Sequence, residues 1–412
     1  MTNADVIVIG AGASGMAAAI KAAERHKNTL LLEKSSKLGR KILASGNGRC
    51  NLMNSGIPRY YGDAEFAEQV LKRCSAGDIV RFFRQYGLMI TEENEGRMYP
   101  FTFQSFSVVS VLKNAMHLTG VSLISDFSVH SIRREKNEFA VRNENGDILR
   151  SKELIIACGG SAQPQLGGTS DGYRILKSFG HSIIPVFPSL VPLETDQKSI
   201  SGLAGIRAHC TISLLDGNHM LHSEKGEILF TEYGVSGICV MQCARFTEGR
   251  RTQMEICFMD GIFHDNRELT EELCRRQALF SDLSPVCLFD GILHERIAYA
   301  ILKQAGIALR GETSGDLTDR NIQSIAETAF HYKIGITGTR GFQYAQVTAG
   351  GADCREFDPM TMESRIVPGL YAAGEVLNVD GDCGGFNLMF AFSSGILAGQ
   401  SVCSGGDNNE KG

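Results

Sequence analysis

Asp5-Val-Ile-Val-Ile-Gly-Ala-Gly-Ala-Ser-Gly15 is the stretch on which the fold turns. Its first five residues are a short apolar run ahead of the glycines, as expected of a parallel strand buried on both faces. Gly10, Gly12 and Gly15 follow with G-x-G-x-x-G spacing. The Ala-rich segment Ser14 to His26 predicts a helix, and Thr29-Leu-Leu-Leu-Glu33 predicts a second strand. Together they make a strand–helix–strand unit of about thirty residues.

This pattern has a mechanism. The glycines allow a tight turn, close approach of a pyrophosphate, and close helix–strand packing. Amides of Ala13, Ser14 and Gly15 at the helix start, with the helix dipole, suit phosphate oxygens. Glu33, which ends the second strand, is placed to accept hydrogen bonds from both ribose hydroxyls of an adenosine. Its charge repels a 2′-phosphate, which argues against NADP in this slot. Lys34 beside it is a further candidate contact.

FAD and NAD share the fingerprint, so the next residues decide. Leu38-Gly39-Arg40-Lys41 is followed by Ser45-Gly46-Asn47-Gly48-Arg49-Cys50-Asn51. A glycine-rich basic loop here suits an extended, pyrophosphate-linked cofactor lying against backbone. A dehydrogenase of the usual NAD type would place a helix here directly.

Farther along, residues 64–90 and 107–118 read as helical. Val121 to Ile124, Val129 to Arg134, Phe139 to Arg142 and Leu154 to Ala157 read as strands, the last ending in Cys158-Gly159-Gly160. From 189 to 260 apolar and polar residues alternate, with Asp216-Gly217 as a hairpin signal. From 267 to 330 the spacing turns helical, as in Leu269/Leu273 and Ile297/Ile301. The tail returns to short glycine-edged strands and a helix from about Leu388 to Ser401. The expected architecture is α/β. A doubly wound, Rossmann-like domain spans 1–188 and 334–412, with an inserted β module at 189–262 and a helical module at 263–333.

The two ends carry a resemblance. Gly39-Arg-Lys41 with Ser45-Gly-x-Gly-Arg-Cys-Asn51 resembles the hallmark of bacterial FAD-binding oxidoreductases labelled aminoacetone oxidase-like. That family includes a reductase of bile-acid intermediates. Asn47 stands where the family more often has glycine. Thr348-Ala-Gly-Gly351, Pro368-Gly-Leu-Tyr-Ala-Ala-Gly374-Glu375 and Asp380-Gly-Asp-Cys-Gly-Gly385-Phe-Asn387-Leu388 extend the match. The resemblance implies FAD, with Glu375 at the ribityl chain and Gly384 to Leu388 at the pyrimidine edge of the flavin. It also implies a barrel-like inserted module. Ala157 and Gly159 resemble the strand-plus-glycine segment that flavoproteins set beside FAD, and Val129 sits where adenine is often bonded through backbone.

The function expected from this is hydride transfer through the flavin N5, between NAD(P)H and a small or steroid-like organic substrate docking beside the inserted region. A second G-x-G-x-x-G unit is missing from the chain, so NAD(P)H would dock only transiently. Two alternatives stay open: an oxidase of an amine or aminoketone using O₂, and a non-catalytic or RNA-associated flavoprotein. No catalytic acid or base is singled out. Gly168-Thr-Ser-Asp-Gly172 matches a G-x-S-x-G nucleophile elbow, but no apolar strand runs into it. A cap by Ser170 or Asp171 on the next helix is the plainer reading.

Composition narrows the class. Of 412 residues, 43% are hydrophobic and 21% charged, which excludes a disordered chain. A net charge of −5 argues against a dedicated nucleic-acid binder. The 12 cysteines form no Cys-x-x-Cys and the histidines no metal-like cluster, so reduced thiols in a cytoplasmic protein are expected. Cys50 and Cys383 lie in the two loops expected at the flavin, and small residues in tight loops is the favoured reading over a redox disulfide. The apolar start lacks a basic leader and is broken by glycines, unlike a signal peptide. No run reaches the roughly 18 apolar residues of a membrane span.

Overall fold

The computed structural model describes residues 3–402. The chain divides into two compact units, Met1–Phe187 with Gln346–Gly412, and Pro188–Ala345.

The first unit is built on a seven-stranded sheet. Asn3–Ile9 lies between Thr29–Leu32 and Ile148–Ile156, parallel to both, so that Ile7 faces Leu30 on one side and Leu154 on the other. Ser122–Ile124 extends the sheet beyond Thr29–Leu32. Ile148–Ile156 changes partners along its length. Its first half is antiparallel to Glu138–Asn143, and its second half is parallel to Leu370–Ala372. Val129–Glu135 closes the antiparallel edge. The unbroken apolar sequence of the central strands matches this burial: Val6, Ile7, Val8, Leu31 and Leu32 have no exposed surface.

The helix after the glycine turn, Ala13–Glu24, packs on the last helix, Phe386–Ser401. Small residues set the spacing. A β-carbon on Gly395 would fall 2.3 Å from Ser14 O, and one on Gly399 would fall 2.2 Å from Ala18 O. The two backbones therefore touch, and this contact carries the C-terminal segment onto the N-terminal turn. The stretch 64–90, read as one helical segment, is two helices, Ala64–Arg73 and Ala76–Gln85. Ser75 divides them, because its hydroxyl accepts from the Asp78 amide in a capping box.

The second unit contains a closed six-stranded barrel, in the order Leu193–Thr195, Gly234–Ser236, His219–Phe230, Arg207–Asp216, Gln253–Cys257, Tyr332–Thr339. Asp216-Gly217 does turn a hairpin, with Gly217 at φ 59°. Tyr332–Thr339 pairs with Gln253–Cys257 and with Leu193–Thr195, which closes the ring. Residues 334–345, expected in the nucleotide domain, thus belong to the barrel unit. Helices Asn266–Leu279, Glu295–Gln304 and Asp319–Phe330 bury Leu269, Leu273, Ile297, Ile301, Ile322 and Ile325. No helix among the described residues is long and apolar enough to cross a membrane.

Candidate cofactor site

The three turn glycines have separate jobs. Gly10 takes φ 104°, and a β-carbon there would lie 2.5 Å from Ala157 O. A β-carbon on Gly15 would lie 1.7 Å from Gly10 O. Both are required by the fold. Gly12 has an ordinary extended φ of −86°, and a β-carbon on it would meet nothing within 4 Å. The space over Gly12 is therefore not filled by the protein. The first i→i−4 bond of the helix runs from Met16 N to Gly12 O, so the amides of Ala13, Ser14 and Gly15 precede it.

Glu33 is half-buried at the end of its strand. Its carboxylate accepts from the Ala11 amide (2.7 Å) and the Ser35 amide (2.9 Å). One bond per oxygen leaves each able to accept another. The neighbouring Lys34 is exposed. The Glu33 carbonyl accepts from Phe127 N (2.9 Å), which brings the start of Val129–Glu135 alongside. The Val129 carbonyl receives a long contact from Arg174 (3.4 Å).

The 38–51 loop hangs on the same turn, since Gly39 N donates to Ala11 O (3.0 Å). Gly39 is left-handed (φ 65°), and a β-carbon would press 2.9 Å against Val109 Cγ2. Arg40 reaches away to Gln165 O (2.5 Å). Lys41 Nζ donates to Glu375 Oε2 (2.6 Å), and Thr348 N donates to Glu375 Oε1 (2.8 Å). A β-carbon on Gly160 would come 2.8 Å from that same Oε1, and one on Gly374 would come 2.5 Å from Ser14 Oγ. Segments far apart in sequence thus converge on Glu375, beside Gly159 and the helix start.

Ser45 Oγ donates to Ile42 O (2.7 Å), and Gly46, Asn47 and Gly48 are all left-handed. Asn47 holds φ 53°, a conformation asparagine tolerates better than most residues, so the glycine expected there is dispensable. The Arg49 guanidinium has partners within the chain. It is bonded to both Glu93 oxygens (2.8 and 2.9 Å) and lies 4.5 Å from the rings of both Tyr99 and Phe103. Cys50 is buried, and desolvation pushes its thiol up to about 12. Cys50 and Cys383 are both free, and burial raises Cys383 too. These are poor thiolates for redox exchange.

The second pole lies at the last helix. Val379–Gly381 pairs with Tyr60–Gly62. Asn54 donates to Gly384 O (2.9 Å), Tyr60 to Phe386 O (2.8 Å) and Tyr61 to Asp382 Oδ1 (2.8 Å). Nothing in the spacing of these three residues announced them. The helix begins at Phe386, two residues before the expected Leu388, because Gly385 (φ 105°) forms the cap. The amides of Phe386, Asn387 and Leu388 precede the first helical bond, Met389 N to Gly385 O. A β-carbon on Gly385 would fall 2.8 Å from Asn51 Oδ1, an oxygen that is buried and accepts no hydrogen bond among the described residues.

The Asn387 side chain does not cap the helix that starts beside it. Its Oδ1 accepts from Gly381 N (2.8 Å), and its Nδ2 donates to Gly381 O (2.7 Å) and Asp382 O (3.3 Å). It braces the loop instead. The G-x-S-x-G segment likewise opens the helix Asp171–Ser178 with no strand leading in, and Thr169 rather than Ser170 accepts the Asp171 amide (3.2 Å).

These residues fit an extended dinucleotide. The open space at Gly12, two helix starts whose first amides precede the helical bonds, the Glu33 carboxylate and the Asn51 oxygen supply donors and acceptors that such a cofactor would use. No cluster of possible metal ligands occurs among the described residues.

Residues 4–401 match the model of the HI0933-like protein Rossmann domain. The chain is 33% identical to a 3-dehydro-bile acid delta(4,6)-reductase of Clostridium scindens, covering 96% of this chain and 98% of that protein. It is 31% identical to a ribosomal RNA dihydrouridine synthase of Haemophilus influenzae, over 96% and 98% of the two chains. A protein of the same name from Escherichia coli is 28% identical, over 98% of each. The chain therefore belongs to the HI0933-like family, a family of FAD-dependent oxidoreductases.

Proposed function

We propose that the protein is an FAD-dependent reductase that uses a nicotinamide cofactor to saturate a carbon–carbon double bond conjugated to a carbonyl. The observation that carries the reading is the vacant approach to Gly12 between two glycines that the fold itself requires. Bound FAD would supply hydride transfer at its N5.

The chain's residues would do the rest. Amides of Ala13 to Gly15 would hold the diphosphate. Glu33 would accept the ribose hydroxyls and turn away a 2′-phosphate. Glu375, held by Lys41 and Thr348, would accept from the ribityl chain. The amides of Phe386 to Leu388 would face the negative charge that two-electron reduction places on the ring. A nicotinamide has no nucleotide-binding unit of its own in this chain and would dock transiently.

The substrate class is drawn from the relatives. A bile-acid delta(4,6)-reductase with a 3-oxo substrate saturates a conjugated alkene, and dihydrouridine formation does the same in uracil. A bile-acid-like small molecule is favoured here. The 31% identity to the ribosomal RNA enzyme supports a second reading, the same reduction on RNA. The net charge of −5 provides no basic excess for it.

Anaerobic mixing with NADH and NADPH tests the proposal. One of them should bleach the flavin, and a 3-oxo-4,6-diene steroid should restore its colour. A flavin reduced by dithionite but by neither nicotinamide would sink the reductase reading. Reoxidation by unmodified ribosomal RNA, with dihydrouridine detected by mass spectrometry, would favour the second.

A further inference from the structure

The barrel unit holds an arginine that the cofactor site does not use. Arg340 follows Tyr332–Thr339, and its amide donates to Pro192 O (3.1 Å). Its guanidinium carbon lies 4.0 Å from the Tyr233 ring centre and 4.2 Å from that of Tyr344. Both tyrosines are anchored nearby. Tyr233 O accepts from Thr195 N (3.3 Å), and Tyr344 N donates to Gly341 O (3.1 Å). Leu193 pairs with both Thr339 and Val235, so these residues gather at one rim of the barrel.

Two rings stacked on one guanidinium fix its plane and leave its edge as the reactive part. That edge carries five N–H donors, and among the described residues none of them makes a hydrogen bond. The acid beside it, Glu194, is 3.9 Å from Nε, an ion pair without a hydrogen bond. The arginine side chain keeps 22% of its exposure.

We propose that Arg340 is the anchor of a binding site for the carboxylate of an organic acid. A planar fork matches a planar carboxylate through two parallel bonds. The Glu194 charge offsets part of the guanidinium charge, which suits a monoanion better than a phosphate dianion. Tyr344, 47% exposed, offers ring surface to the hydrocarbon next to the carboxylate. The site stands on the barrel unit alone and does not depend on the FAD reading.

The test uses the full-length flavin-bound protein and sodium hexanoate as probe. The chain has no tryptophan and 10 tyrosines, so tyrosine emission reports the site directly. Saturable binding is expected, at least tenfold weaker in Arg340→Leu with flavin absorbance unchanged. Arg340→Lys should also weaken it, because the fork is lost, and Glu194→Gln should tighten it. Hexanamide or inorganic phosphate binding as well as hexanoate would overturn the proposal. So would wild-type-like affinity in Arg340→Leu, or no saturable binding by the wild type.

Discussion

The backbone amide of Ala11 donates a 2.7 Å hydrogen bond to the carboxylate of Glu33. The bond ties the glycine turn to the end of the second strand, so one contact would set the proposed phosphate and ribose ends of the site together. Glu33→Gln keeps an acceptor for Ala11 but loses the charge that would bind ribose hydroxyls. Hydrogen bonds to charged groups contribute about 1.5–3 kcal/mol, so FAD affinity should fall roughly 10- to 150-fold. Titration of apoprotein with FAD, followed by flavin fluorescence, checks it. Unchanged affinity would remove Glu33 from the site.

Gly12 separates ligand binding from folding. With no atom within 4 Å of its β-carbon position and an ordinary φ, Gly12→Val should fold with wild-type thermal stability in the apo state and lose FAD. Gly15→Ala should fail to fold, since its methyl would overlap Gly10 O at 1.7 Å. Parallel melting curves and flavin absorbance distinguish the two. Full occupancy in Gly12→Val would mean that nothing approaches this turn.

Asn387→Asp removes the donors to Gly381 O and Asp382 O and sets a carboxylate against carbonyl oxygens. A loss of about 1–3 kcal/mol in denaturant unfolding is expected. The flavin midpoint potential should change little, because the side chain is committed to Gly381 and Asp382. A lowered potential with unchanged stability would reverse that assignment.

How far the sequence reached follows from the range of each interaction. The glycine turn and Glu33 were legible because strand, turn and helix signals are local and regularly spaced. The bond between Lys41 and Glu375 was not, since 334 residues separate them and only the packing of Gly395 and Gly399 on the first helix brings their segments together. The loop bonds of Asn387 were not legible for a related reason. Its partner Gly381 is only six residues away, but the turn between them depends on Gly384 and Gly385 at φ 130° and 105°, which spacing does not specify. The barrel boundary was missed because a closing strand reads like any other until its two partners are known.

His181 gives a pH signature. Its Nδ1 lies 2.8 Å from Glu356 Oε2 and its Nε2 2.9 Å from Ser364 Oγ, and the ring stacks on Phe357. Ser364 Oγ already accepts the amides of Ile366 and Val367, so its proton goes to Nε2 and the histidine is neutral. Ser364 is also buried, so this serine–histidine–glutamate set is a structural latch and no hydrolase centre. Burial holds His181 below its usual range, against the opposing pull of Glu356. The unfolded chain then binds more protons as pH drops through about 6.5, and stability is lost in that direction. Burial alone would raise Glu356, but bonds from Ser182 and His181 outweigh it and lower it, adding a further loss at more acid pH. His181→Gln should be less stable than wild type at pH 7.5, with the gap narrowing toward pH 5. A gap that is constant or widens would contradict the neutral-histidine assignment.

Identifying the flavin released on denaturation tests the cofactor assignment most directly. In the proposed site, Glu33 and the Gly12 turn would hold the adenosine diphosphate, which FMN lacks. The purified protein should be yellow and release FAD at one equivalent per chain, measured by chromatography of the heat-denatured supernatant. FMN alone, or no flavin retained after reconstitution with FAD, would contradict it.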